Sequence, residues 1–346
     1  MRRVFALIAI LVSTACSNSE QTAPPAETRL SGPHTHGNLS VYLVHDSKAP
    51  QDDVDCLTLE EALKSGALQV TEKAQGAEVN ELQVENLGDK PVYLQAGDTV
   101  KGGQQDRTIA VDTMLAPKSG RRGIDAFCVE PGRWQGREGK STQVFGEAQA
   151  PVATNDQKLA IRLEKDQGKV WAAGEKVNRD LAKAEPAAPS AGGSGLLSGA
   201  TFSLDEPKNS YVEALETPAV QKRLAERIGA LEKAPAGRKD VVGAVFCMNG
   251  KVQSAEIYAA AGLFRKLWPK LLRSAAVEAI STQKEGQQVQ PPSEADVRAM
   301  LAAPDGAGKA EVRPDGPTVR IYEKERAVRF DTEADGKLLH RQVLAR

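Results

Sequence analysis

Val79 to Val111 reads VNELQVENLGDKPVYLQAGDTVKGGQQDRTIAV. Leu82 and Val84 alternate with Gln83 and Glu85, and Val92 and Leu94 follow the turn-forming Asn86-Leu87-Gly88-Asp89. Alternation sends apolar side chains to one face of an extended chain and polar ones to the other. From Leu68 to about Cys128 the pattern predicts a half-buried antiparallel sheet or small sandwich. GGQQDR, Gly102 to Arg107, interrupts it and raises the question of whether these residues form a site or only a turn.

Working outward, NLSVYLVH (Asn38 to His45) reads as a strand. Leu57 to Leu63 reads as a short helix with Thr58 and Glu61 in a capping box, ended by Gly66. Helical spacing returns at Leu159, Leu163, Val170, Val177 and Leu181, with Gly168 and Gly174 as weak points. Thr217-Pro218 starts another helix through Val220, Leu224, Ile228 and Leu231. In VVGAVFCMNGKV (Val241 to Val252) an apolar run meets Asn249-Gly250, a type I′ hairpin signal, because both central residues need positive φ. Leu263 to Ile280 is amphipathic with Pro269 inside it, and Ser293 caps one more helix. The order predicts an α+β fold. An antiparallel sheet or small β-sandwich fills the N-terminal half, packed with helices and a further β-hairpin in the C-terminal half. A small C-terminal β-meander follows, with Val319, Ile321, Val328 and Phe330 alternating.

The balance of 45 basic against 46 acidic residues in 346 supplies no global field for nucleic acid. At the N-terminus Arg2 and Arg3 precede an apolar run, Val4 to Val12, then Ser13-Thr14-Ala15 and Cys16. This is a secretory signal, too short for a comfortable membrane span. A small residue before a cysteine at that point resembles the lipobox of bacterial lipoproteins, with Ser13 departing from the usual aliphatic. The resemblance implies acylation of Cys16, with the lipid bilayer as partner. With Ser17 in place of an inner-membrane aspartate, it implies the outer membrane rather than the inner. Residues 1–16 are thus expected to be the signal and 17–37 a flexible tether. Cys56, Cys128 and Cys247 have no zinc spacing, and one disulfide or buried thiols both fit them. Lys266, Lys270 and Arg273 share roughly one helix face, expected to be solvated, and Trp171 and Trp268 occupy core positions.

Two short stretches carry chemistry. Gly102-Gly103, followed by Gln104, Asp106 and Arg107, suits a backbone nest with a forked guanidinium for an anion; the same residues suit a turn in which Arg107 pairs with Asp106 or Glu130. No Lys-Ser/Thr ending follows, so this is no P-loop. In CVEPGRW (Cys128 to Trp134), Glu130 suits a general base, Arg133 an anion clamp and Trp134 a stacking surface; an internal salt bridge with a core indole is the plainer reading. His34-Thr35-His36 has no clear third ligand, so no metal site is expected, and no motif implies a cofactor.

LTLEEALKSGALQVTE (Leu57 to Glu72), Val79 to Thr108, CVEPGRW, QGKVW (Gln167 to Trp171), VVGAVFCMNGKV and LFRKLWPKLLRSAAVEA (Leu263 to Ala279) together resemble an uncharacterised bacterial and archaeal family. It is named for its association with ADP-ribosylglycohydrolases and rhodanese/phosphatase-superfamily proteins. The resemblance covers residues 38–285, on both sides of an Ala/Gly/Ser-rich loop at 185–200, and leaves 286–346 as an appendage. It implies a context of ADP-ribose chemistry but no activity. Two functions stand at this point. One is a ligand- or partner-binding module, taking a small molecule or an envelope protein. The other is a hydrolase-like enzyme on a phosphate- or ADP-ribose-bearing substrate, using Glu130, Arg107 and Arg133.

Overall fold

A computed structural model of the chain describes residues 28–52, 54–73, 80–129, 131, 144–183, 215, 217–284, 286, 288–302, 308–312 and 316–346. The strands are β1 (Arg29–His36), β2 (Leu39–His45), β3 (Leu57–Thr58), β4 (Leu68–Thr71), β5 (Glu81–Asn86), β6 (Val92–Leu94), β7 (Asp98–Gly102), β8 (Arg107–Ile109) and β9 (Thr113–Leu115). They continue as β10 (Gly120–Cys128), β11 (Phe145–Val152), β12 (Val241–Met248), β13 (Lys251–Tyr258), β14 (Lys309–Val312), β15 (Thr318–Glu323), β16 (Ala327–Ala334) and β17 (Lys337–Ala345). The helices are α1 (Leu59–Lys64), α2 (Asn155–Leu159), α3 (Gln167–Lys183), α4 (Pro218–Leu231), α5 (Ala261–Ser281) and α6 (Glu294–Ala302).

The alternating stretch folds as expected. A six-stranded antiparallel sheet, β11-β7-β8-β10-β5-β4, faces a small sheet, β3-β6-β9. Leu82, Val84, Val92, Leu94, Val100, Ile109 and Leu115 fill the space enclosed between them. Asn86 shapes the turn: its amide donates to the carbonyls of Lys90, Leu115 and Ala116, while its oxygen accepts the Gly88 N–H. Thr58 and Glu61 form the capping box of α1. With this architecture the chain is α+β.

A second, eight-stranded antiparallel sheet runs β1-β2-β12-β13-β17-β16-β15-β14. Asn249 and Gly250 turn β12 into β13 at φ 52° and 76°, as the hairpin signal requires. Helix α5 continues through Pro269; its Leu267, Trp268 and Leu271 cover one face of the sheet against Leu39, Val41 and Phe246. Val297 and Leu301 of α6 cover the opposite face against Val44, Val245 and Val343.

Several expectations need correction. Residues 29–36 of the expected tether form β1, because their backbone pairs with β2 from Arg29↔His45 to His36↔Leu39. The expected C-terminal appendage is half of the large sheet: β17 pairs with β13 from Ser254↔Leu344 to Tyr258↔His340. The helical stretch 155–181 is in two pieces, but the break precedes Gly168 rather than falling at a glycine: α2 passes into a π-helical turn, Ala160–Glu164, which stops at Lys165 in the left-handed region, φ 53°, and α3 resumes at Gln167. Lys270 is buried against Asp98 at 2.5 Å, while Lys266 and Arg273 bond to Glu61 and Gln221, so that face of α5 packs against its neighbours. The signal, Cys16 and the loop 185–200 lie outside the described residues. Helices α3 and α4, on either side of that loop, share one apolar cluster through Val177, Leu181, Val220 and Leu224. Among the described residues no helix is long and apolar enough to cross a membrane.

Candidate functional site

GGQQDR is the connection between β7 and β8. Gly102 and Gly103 adopt φ 140° and 56°, and a Cβ on them would lie 2.6 Å from the Val144 carbonyl and 2.4 Å from the Phe145 ring. Both glycines are therefore required by the close approach of β11 as well as by their φ. The Asp106 carboxylate accepts the Gly102 N–H at 2.9 Å, and its carbonyl accepts the Val129 N–H at 3.1 Å. Arg107 sits opposite Cys128 in the ladder, so GGQQDR and the start of CVEPGRW do meet. Its guanidinium is fully buried, ion-paired with Glu72 at 3.2 Å and in contact with the Cys128 sulfur. Gln167, from the QGKVW stretch, clamps the Cys128 backbone from both sides, accepting its N–H at 2.9 Å and donating to its carbonyl at 2.7 Å. Gln104 is half-buried, and Gln105 is enclosed with neither amide atom hydrogen-bonded among the described residues. Glu130, Arg133 and Trp134 lie outside the described residues. What is described of this region is a closed junction, in which Arg107 faces Glu72 rather than solvent.

A different constellation sits where the two large sheets meet. Asp112, between β8 and β9, is fully buried. One of its oxygens accepts from Tyr93 at 3.0 Å and from the Ala96 N–H at 3.1 Å, and contacts His340 Nδ1 at 3.0 Å. The other accepts from Thr332 at 2.6 Å and Arg162 at 3.2 Å. His340 Nε2 reaches Glu256 at 2.7 Å, and Glu256 accepts from Lys158 at 2.6 Å and Gln342 at 2.9 Å. The imidazole is thus held between two carboxylates, with Tyr258 stacked on it at 4.6 Å.

Local sequence explains the placement. Thr154 and Gln157 cap α2, which sets Lys158 and Arg162, four residues apart, on one inward face through the π-helical turn. On β13 and β17 the inward alternation carries Ser254-Glu256-Tyr258 and His340-Gln342-Leu344. Burial would raise Asp112, but His340 and Arg162 outweigh it and hold the carboxyl far below the usual range. Burial likewise would raise Glu256, yet Lys158 and His340 bring it to about 2. His340 would be lowered by burial, but Asp112 and Glu256 push it up to about 9. It is an imidazolium at neutral pH. Two carboxylates therefore face three cations, His340, Lys158 and Arg162, leaving one positive charge in surplus within this group.

That surplus opens on one side. A cavity of about 290 Å³ lies against the network, with Arg162 in its wall beside Lys165, Asn80, Asp125 and Glu311, and with Phe127, Phe330 and Ile321 as apolar lining. Arg162 lies flat over the Phe330 ring at 4.4 Å and makes its three side-chain hydrogen bonds through Nη1 and Nη2. Lys165 pairs with Glu311 at 2.9 Å across the mouth.

A family model, the ARG and Rhodanese-Phosphatase-superfamily-associated Protein domain ARPP-1, matches residues 27–345. The chain belongs to the ARPP-1 family. Its match runs from just before β1 to the end of β17, so the ARPP-1 domain includes residues 27–37 of the expected tether and the expected appendage up to residue 345. No curated protein and no solved structure matches the chain. Sequence reasoning missed Asp112, Lys158, Arg162, Glu256 and His340, which are single charged residues spread over more than 200 positions. The available signal was a charge on the inward face of an apolar strand, as in SAEIY (Ser254 to Tyr258).

Proposed function

We propose that this ARPP-1 chain is a binding module for a small anionic molecule, carried in the bacterial cell envelope. What carries the reading is Arg162, part of a buried group with surplus positive charge and exposed on one side to the cavity. A carboxylate or phosphate there meets a cation already desolvated and oriented by its bonds to Asp112, Thr332 and Gln342. The size suits a small molecule, with Phe127, Phe330 and Ile321 taking its apolar part. The π-helical turn fits this use, since such turns recur at functional sites. A hydrolase centred on Arg107 has less support, because that guanidinium is enclosed by Glu72 and Cys128.

Titration calorimetry against a panel of carboxylates, inorganic phosphate, nucleotides and ADP-ribose tests the site. Binding is expected, and Ala110→Phe, which places a ring in the cavity from a half-buried wall position, is expected to weaken it at least tenfold without changing the unfolding temperature. Binding unchanged in that variant sinks the assignment, as does no binding at all. The envelope placement rests on the signal and Cys16. Cys16→Ala is expected to abolish fatty-acid labelling in cells, and labelling that persists removes the anchor.

A further inference from the structure

On the opposite side of α5 from the sheet junction, a wide surface groove of about 920 Å³ runs between the end of α4, the following loop and α5. Lys233, Arg238, Lys239 and Arg265 line it against Asp52 and Glu232, an excess of two positive charges on a chain whose net charge is −1. Lys233 and Lys239 are exposed and form no ion pair among the described residues. Between them Pro235-Ala236-Gly237, uncharged, also line the groove and are flanked on both sides by cations. Trp268 closes the floor, its indole N–H donating to the Glu232 carbonyl at 2.8 Å.

The start of β1 reaches the rim of the groove through one side chain, while the Thr28 carbonyl accepts from Arg298 of α6 at 3.0 Å on the other face of the sheet. Arg29, at the start of β1, pairs with Asp240, the residue after Lys239, at 2.9 Å. A stretch of twelve residues, the length from Ser17 to Thr28, spans at most about 40 Å.

We infer that this groove rests on the phosphates of anionic lipid headgroups at the membrane to which the chain is tethered. The inference builds on the anchored reading above. Exposed cations on either side of a short uncharged turn at the rim of the groove fit an anionic interface: the lysine and arginine stems lie along the headgroup layer and the charges meet phosphate. Attraction of this kind is lost within a Debye length, so the tether keeps the groove within range and the cations orient the body.

Cosedimentation of the chain from Ser17 to Arg346, which keeps every described element and lacks the acyl anchor, tests the surface. Vesicles containing one third phosphatidylglycerol are expected to bind it and pure phosphatidylcholine vesicles are not, with binding lost at 0.5 M salt. The double variant K233E/K239E is expected to lower the bound fraction about tenfold while unfolding at the same temperature. Equal binding to both vesicle types, or unchanged binding by the double variant, overturns the inference. Binding of inorganic phosphate or a nucleotide at the groove without vesicle binding also overturns it, in favour of a soluble anion. Because the readout uses unacylated protein, it fails independently of the Cys16 labelling experiment.

Discussion

Arg107 shows how one residue decides what GGQQDR is. A guanidinium with no exposure cannot shed its charge at neutral pH, so it needs a carboxylate, and Glu72 supplies one at 3.2 Å with only 8% of its own side chain exposed. Replacing Arg107 by alanine leaves that carboxylate in a nearly closed site and removes packing against Cys128. The expected cost is about 3–5 kcal/mol of stability, the range for breaking a buried pair from one side. Urea denaturation of Arg107→Ala measures it, and a loss below about 1 kcal/mol would contradict a buried structural pair. Removing Glu72 and Arg107 together should cost less than the sum of the single changes, since neither charge is then stranded.

At the scale of elements, what could be read from sequence was what neighbouring residues determine. The β5–β6 turn, the capping box at Thr58, the Asn249-Gly250 hairpin and the Thr217-Pro218 helix start each depend on a few adjacent side chains, and each stands where its pattern places it. The tail strands were recognised as strands, but their place was not. Nothing local in Lys337 to Ala345 says that its partner is β13, more than 80 residues earlier. In β17 the alternation carries His340 and Gln342 on the inward face, where polar residues read as solvent-facing until the partner sheet is known. The π-helical turn was hidden for a related reason. Its extra residue per turn leaves the apolar spacing of Leu159 and Leu163 intact, and Lys165 carries no glycine to mark the left-handed stop. The buried network was illegible because its members come from α2, the π-helical turn, β13, β16, β17 and the link before β9, which only the fold brings together.

For the whole molecule, that network makes the joining of the two sheets depend on pH. His340 titrates near 9 in the folded chain against about 6.5 in an unfolded one. Its contribution is therefore complete below about pH 6.5 and is lost as pH rises through 9, because the native state then holds the proton that the unfolded state has released. Glu278, half-buried on α5 and pushed up to about 7 by burial, acts in the same direction from a lower pH. Asp112 and Glu256 act in the opposite direction: their depressed values stabilise the fold above the ordinary carboxylate range, and this is lost as pH falls towards 2. Stability is expected to be greatest between about pH 4.5 and 6.5 and to decline on the alkaline side. Urea denaturation at pH 5.5, 7.5 and 9 checks the slope. His340→Gln, which keeps a polar side chain but no titrating charge, is expected to be less stable at pH 5.5 and to lose much of the decline between 7.5 and 9. An equally steep decline in that variant would show that the pH dependence arises elsewhere than at the junction of the sheets.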